Sequence, residues 1–184
     1  MTTLPYVISD PYIEADLLAL ATQPVAYTQY GVFYDTTTQT LANTTTAYPV
    51  AIGSTDGHNG VTITSGNRIT FVVAGVYGVQ VEVQLANNGG TIADATIWFR
   101  LNGTDVPYSS IVRSVNTSHV GVDGHTTASM NRIFSANAGD YLQLYWHADS
   151  TAISITSIAA GALPTLPAAP SVVVSVYTAA QLPS

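Results

Sequence analysis

Hydrophobic and polar positions alternate most regularly between Gly75 and Tyr108. Tyr77, Val79, Val81, Val83 and Leu85 share one parity and Gln80, Glu82 and Gln84 take the other, the period of a strand with one buried face. Ile97, Phe99 and Leu101 repeat the rule opposite Trp98, Arg100 and Asn102. Between the two runs stand Asn87, Asn88, Gly89 and Gly90, residues that tolerate positive φ, so a chain reversal is predicted there. The pattern gives two long strands of a β-sandwich joined by a loop of several residues.

The rest of the chain follows in shorter pieces. GVFYDTTTQTL and AYPVAIG read as strands around the run Thr44 to Thr46, and Gly53 to Gly60 reads as a loop rich in Gly, Asp and Asn. VTIT and NRITFVV predict a hairpin around Ser65 and Gly66. SSIVRSV is a further strand, SHVGVDGH a flexible loop, and TASMNRIFS shows no single buried parity. YLQLYWHA places Leu142, Leu144 and Trp146 on one face; ISITSIAA and, after the proline-rich loop LPTLPAAP, SVVVSVYTA close the fold. About ten short strands at near-regular spacing, with almost no helix, mean an all-β sandwich or jelly roll.

Residues 1–24 break this pattern. Pro5, Pro11 and Pro24 punctuate them, and Tyr12, Ile13, Leu17, Leu18 and Leu20 fit one short amphipathic helix. Two or three helical turns are marginal alone in water, so the segment must dock, either on its own domain or as an arm on a neighbouring subunit or larger particle. The expected organisation is an arm, 1–24, and one jelly-roll domain, 25–184. The start lacks a basic region and carries Asp10, Glu14 and Asp16 beside its apolar run, which does not fit a secretory signal. No apolar run approaches the twenty residues of a membrane helix, and the expectation is a soluble chain made in the cytoplasm, with no membrane partner.

Composition narrows the function classes. Only 8% of residues are charged, against roughly 25% in an ordinary soluble domain. Lysine is absent; the cations are Arg68, Arg100, Arg113 and Arg132, and the formal net charge is −7. A nucleic-acid backbone would be repelled. Thr, Ser, Asn and Gln supply the polar faces, so the surface should be insensitive to salt. There is no cysteine, hence no disulfide framework and no thiol chemistry.

Candidate chemistry is sparse. His119, Asp123 and His125 lie in one loop and have the ligand types of a divalent-cation site, but two glycines and the lack of a third firm ligand favour a plain loop. Asp94, Asp105, Asp140 and Asp149 fall at loops or strand ends without the dense spacing of a calcium loop, and turn capping is expected of Asp105 and Asp140. His147 and Asp149 meet only the composition of a serine hydrolase, and no nucleophile elbow or phosphate loop is present. Glu14 and Glu82 are the only glutamates. No catalysis, cofactor or metal is expected. Arg100, Arg113 and Arg132 are expected to pair with acids such as Glu82, Asp94 or Asp140, within one subunit or across two.

Specific motifs carry a resemblance. AGVYGVQVEVQ resembles the glycine-x-tyrosine strand of the tumour necrosis factor and complement globular-head superfamily, LNGTDVP is similar to its asparagine-glycine turn, and AGDYLQLYW to its glycine-aspartate strand; SVVVSVYT takes the place of its last strand. The match runs from about residue 27 to 179. Within that superfamily IWFRLNGTDVPYS and AGDYLQLYW look most like small virion proteins of tailed bacteriophages. The resemblance implies a ten-stranded jelly roll that assembles as a homotrimer. Trp98, Tyr145 and Tyr177 fall opposite the inferred core; aromatics are favoured where partners meet, though single exposed ones also occur in monomers, and these three are the candidate trimer-interface residues. The expected function is a capsid decoration or cement protein on the outer shell of a virion, its partners itself and the major capsid protein, with Tyr12, Ile13, Leu17, Leu18 and Leu20 as the capsid-binding contacts of the arm. The alternative is a receptor-binding or adhesin tip that recognises host saccharide through the loops Asp56 to Gly60 and His119 to His125.

Overall fold

The computed structural model describes residues 28–181. The arm, with Tyr12, Ile13, Leu17, Leu18 and Leu20, lies outside the described residues. In chain order the strands begin with β1 (Tyr30–Asp35), β2 (Gln39–Thr40), β3 (Tyr48–Pro49), β4 (Ser54–Asn59), β5 (Val61–Thr64) and β6 (Arg68–Phe71). The two long central strands are β7 (Gly75–Asn87) and β8 (Ala93–Leu101). After them come β9 (Thr104–Asp105), β10 (Ile111–Val115), β11 (Gly124–Ala136), β12 (Tyr141–Ala148) and β13 (Ile153–Ile155). The short β14 (Gly161–Ala162) and β15 (Thr165–Leu166) precede the last strand, β16 (Val172–Gln181).

Antiparallel pairing builds two seven-stranded sheets and one two-stranded ribbon. In the first sheet β11 pairs β7 along its whole length, while β16 and then β13 share the other side of β7. β1 pairs β16, β4 pairs β1, and β2 flanks β13. In the second sheet β8 pairs β12; β10 and β9 lie along the free side of β8, and β3 and β6 along that of β12, with β5 outermost. Alternation decides which residues meet between the layers. Val79, Val81, Val83 and Leu85 of β7 face Ile97, Phe99, Leu142, Leu144 and Trp146 of the second sheet, all buried. Each such side chain contributes roughly 1.5–3 kcal/mol. Phe99 meets Phe134 of β11 edge-on at 5.1 Å.

Several sequence expectations change. β7 and β8 do not pair but belong to opposite sheets, so the Asn87–Gly90 segment carries the chain across the sandwich. It does so without left-handed residues, which sit instead at Ser65–Gly66, as expected for that hairpin, and at Asn102–Gly103 between β8 and β9. The predicted strand after Tyr30 stops at Asp35, whose carboxylate accepts the N–H and hydroxyl of Thr37 and the N–H of Gly53. Of AYPVAIG only Tyr48–Pro49 is strand, Pro49 having no N–H to extend a ladder. The segment expected as the loop Gly53 to Gly60 is mostly strand β4, because β1 offers it an unpaired edge on which glycine and polar residues are tolerated on both faces. The unresolved parity of TASMNRIFS also has a cause. Ala128, Met130 and Phe134 of β11 face inward and are buried, but Arg132 shares their row and is exposed, since β11 is the edge of its sheet. An inward charge on an edge strand blocks pairing with another chain.

Candidate functional site

The outer face of the first sheet holds an apolar row that crosses four strands. Ile133 of β11 and Tyr177 of β16 are the two partners of Gly78 on β7. The Tyr177 ring lies on that glycine: a Cβ at Gly78 would stand 2.4 Å from the ring carbon Cζ. Register between β16 and β1, fixed at Asp35 opposite Val172, sets Tyr30 beside Tyr177, and Thr178 N–H donates to the Gln29 carbonyl at that end of the ladder. Ile133 is 68% exposed, Tyr30 45% and Tyr177 44%. The next rows on this face are Gln80, Asn131 and Ser175, then Glu82, Ser129 and Val173, with Val32 and Tyr34 of β1 beside them. Glu82 is the only charged side chain among the residues of those rows.

Trp98 and Tyr145 belong to the other side of the molecule. They are direct partners on β8 and β12, with ring centroids 6.1 Å apart. The Arg100 guanidinium lies 3.8 Å from the Tyr145 ring centroid, and its Nε donates to Asp105 Oδ1. Trp98 Nε1 donates to the same oxygen at 2.7 Å. These two donors, Arg100 first, hold the Asp105 carboxyl below the usual carboxylate range, and Asp105 raises Arg100 in turn. A second stack, Arg68 over Tyr141 at 4.4 Å, lies on the same sheet. The three aromatics expected at one subunit contact therefore divide: Tyr177 on the first sheet, Trp98 and Tyr145 on the second, where each already has a partner.

Arg100 pairs with Asp105, not with Glu82, Asp94 or Asp140, and this is the single ion pair among the described residues. Arg113 and Arg132 are exposed on the edge strands β10 and β11. Asp140 caps a turn as expected: Oδ2 accepts Asn137 N–H and Oδ1 accepts the Asn102 amide, which together hold its carboxyl low. Asp105 caps no backbone amide; its local partners are side chains. Asp94 Oδ1 accepts the Ser114 hydroxyl, and Asp149 Oδ1 accepts Asp94 N–H. His147 Nε2 lies 2.7 Å from the Thr44 carbonyl, so His147 and Asp149 each serve a different backbone group.

His119, Asp123 and His125 share a cleft of about 560 Å³ with Ile92 and Asn116. Their loop is an ordered reversal: His119 and Val122 exchange two backbone hydrogen bonds around left-handed Val120 and Gly121. Among the described residues no group of three or more His, Cys, Asp or Glu is placed to hold a metal ion.

Two features escaped the pattern. Tyr108 is left-handed and 91% exposed, at the third position of a turn closed by Ser109 N–H to the Val106 carbonyl. Its neighbours Pro107 and Ser109, the latter buried against the Phe99 backbone, fix that turn. The proline-rich loop, in turn, is a projecting finger with a cleft of about 490 Å³ at its base.

No protein-family model matches the chain, and no curated protein does. Among solved structures it is similar to the Eiger TNF from S. frugiperda, at 13% identity over 85% of this chain and 96% of that one, with a TM-score of 0.51. The fold is accordingly a jelly roll of the tumour necrosis factor type, all-β as the strand pattern implied.

Proposed function

We propose that the chain is a structural protein of a tailed-phage virion, a homotrimeric decoration or cement protein bound through its arm to the major capsid protein on the outer shell. The observation that carries the assembly is the row Ile133–Gly78–Tyr177–Tyr30 on an almost uncharged sheet face. Isolated exposed apolar residues need no explanation, but a contiguous row with neutral polar flanks is the composition of an interface core. A closed ring of three copies covers such a face completely. Trp98 and Tyr145, already stacked and hydrogen-bonded, face away from it and are better suited to the particle-facing or solvent-facing side. The virion assignment is supported by the phage-like motifs IWFRLNGTDVPYS and AGDYLQLYW.

Three arms on one trimer would bind neighbouring capsomers with the gain of multivalency. Removing residues 1–20 is therefore expected to leave a soluble trimer that no longer sediments with purified shells. Retained shell binding by that variant would refute the role of the arm.

A receptor-binding tip is the second reading, favoured by two concave sites: the His119–His125 cleft at one expected loop, and the cleft whose rim carries Asp56 of β4. Immunogold microscopy of the virion separates the two, since decoration labels the whole shell and a tip labels only fibre or tail ends.

A further inference from the structure

From Ile158 to Ala169 the chain is IAAGALPTLPAA, twelve residues without a charge and with Thr165 as the only polar side chain. It is an ordered finger. Ile158 and Ala169 exchange two backbone hydrogen bonds at its base, and β14 pairs β15 nearer the tip. Its apolar side chains are nevertheless in water: Leu163 is 97% exposed, Leu166 54% and Ile158 42%. Folding gains nothing from leaving Leu163 there, since a buried leucine contributes roughly 1.5–3 kcal/mol. At the foot of the finger is the 490 Å³ cleft, formed where Val32, Tyr34 and Val173 of the first sheet, with Thr36 just past the end of β1, meet Ala168 and Pro170. Val32 and Tyr34 lie on the same face as Tyr30, so the cleft continues the apolar row.

We infer that the finger of one copy seats in the cleft of the next. The finger cannot fill its own cleft, because five residues per limb carry the tip roughly 15 Å from the base. The cleft has the capacity of a small-ligand pocket, enough for Leu163, Pro164 and Leu166. Charge confines self-association to this surface: at a net −7 two chains repel over most of their surface, whereas finger, cleft and apolar row bring together neutral groups, with Asp56 on the cleft rim as the exception. A head-to-tail contact of this kind closes into a ring of three when each copy is turned by a third of a circle, and otherwise runs on as a filament. The inference rests on the homotrimer reading and specifies the element that locks it.

The absence of cysteine makes a direct test possible. In the double variant Leu163→Cys/Thr36→Cys, mild oxidation should give covalent oligomers up to three chains, while each single variant stays at chain mass on a non-reducing gel. Leu163→Asp, at a fully exposed site, should keep the native circular-dichroism spectrum and raise the trimer dissociation constant at least about tenfold. If the unmodified protein sediments as a trimer but the double variant does not cross-link, finger docking is wrong and the trimer stands. If the unmodified protein is a monomer, both fail. Cross-linking of Leu163→Cys alone would mean that fingers meet one another. An intrachain bridge between Leu18→Cys and Thr36→Cys would make the arm the occupant. Flotation with phosphatidylcholine vesicles that Leu163→Asp abolishes would make it lipid. Each of the last three results overturns the inference.

Discussion

Asn87 holds the joint between the two long strands. Its side chain is fully buried; Nδ2 donates to the carbonyls of Thr91 and Val115, and Oδ1 accepts Gly89 N–H. In sequence it reads as a turn residue, since period and composition reveal a polar side chain but not whether a distant carbonyl needs it. Asn87→Ala leaves a buried carbonyl at Val115 without that donor, and the expected loss is about 2–3 kcal/mol in urea unfolding at unchanged m-value. Asp140 was more legible, because a Gly-Asp pair before a strand has few other uses, and it caps as expected, whereas Asp105 turns to side chains. The native carboxyls of Asp140 and Asp105 titrate below the ordinary value. Their stabilising effect is present above the unfolded value of about 3.9 and is lost as pH falls through the lower native values. Thermal melts from about pH 5 to pH 2 should show a shallower acid decline for Asp140→Asn than for the parent chain. Both groups are largely exposed, so the difference at neutral pH should be small.

At the scale of elements, alternation identified the core strands and failed at the edges. β7, β8, β12 and β16 are central, with one face on the core, and their inward rows were readable directly. β4 and β11 are edge strands, where one row is only partly covered and glycine or arginine enters without penalty. Pairing was readable for the β5–β6 hairpin around Ser65 and Gly66 but not for β7 and β8, which follow one another along the chain and lie in opposite sheets. The turn before β11 depends on a glycine that sequence alone treats as a loop residue. A Cβ at Gly124 would stand 2.0 Å from the Asn116 carbonyl oxygen. Gly124→Ala should displace the segment 116–123 and destabilise the fold by roughly 1–3 kcal/mol. Amide exchange should then rise first in β10 and at the start of β11, and an unchanged melting temperature would mean that the loop yields freely.

For the whole molecule, the placement of the outward aromatics was half legible. Sequence parity correctly put Trp98, Tyr145 and Tyr177 on outward rows, but parity cannot say which of two sheets a row belongs to. It also gave no weight to Ile133 and Tyr30, which join Tyr177 only through Gly78 and the strand order. The exposed finger reads in sequence as a proline-rich loop, because prolines punctuate it and its two-residue strands are too short to show alternation. A contact made by neutral side chains should tolerate salt, in contrast to one built on surface ion pairs. The decisive measurement is sedimentation equilibrium of the unmodified chain across micromolar concentrations, at about 0.05 M and about 1 M salt. Assembly through the neutral face predicts three times the chain mass at both; a single chain mass at every concentration, with Tyr30 and Tyr177 open to solvent, would contradict it.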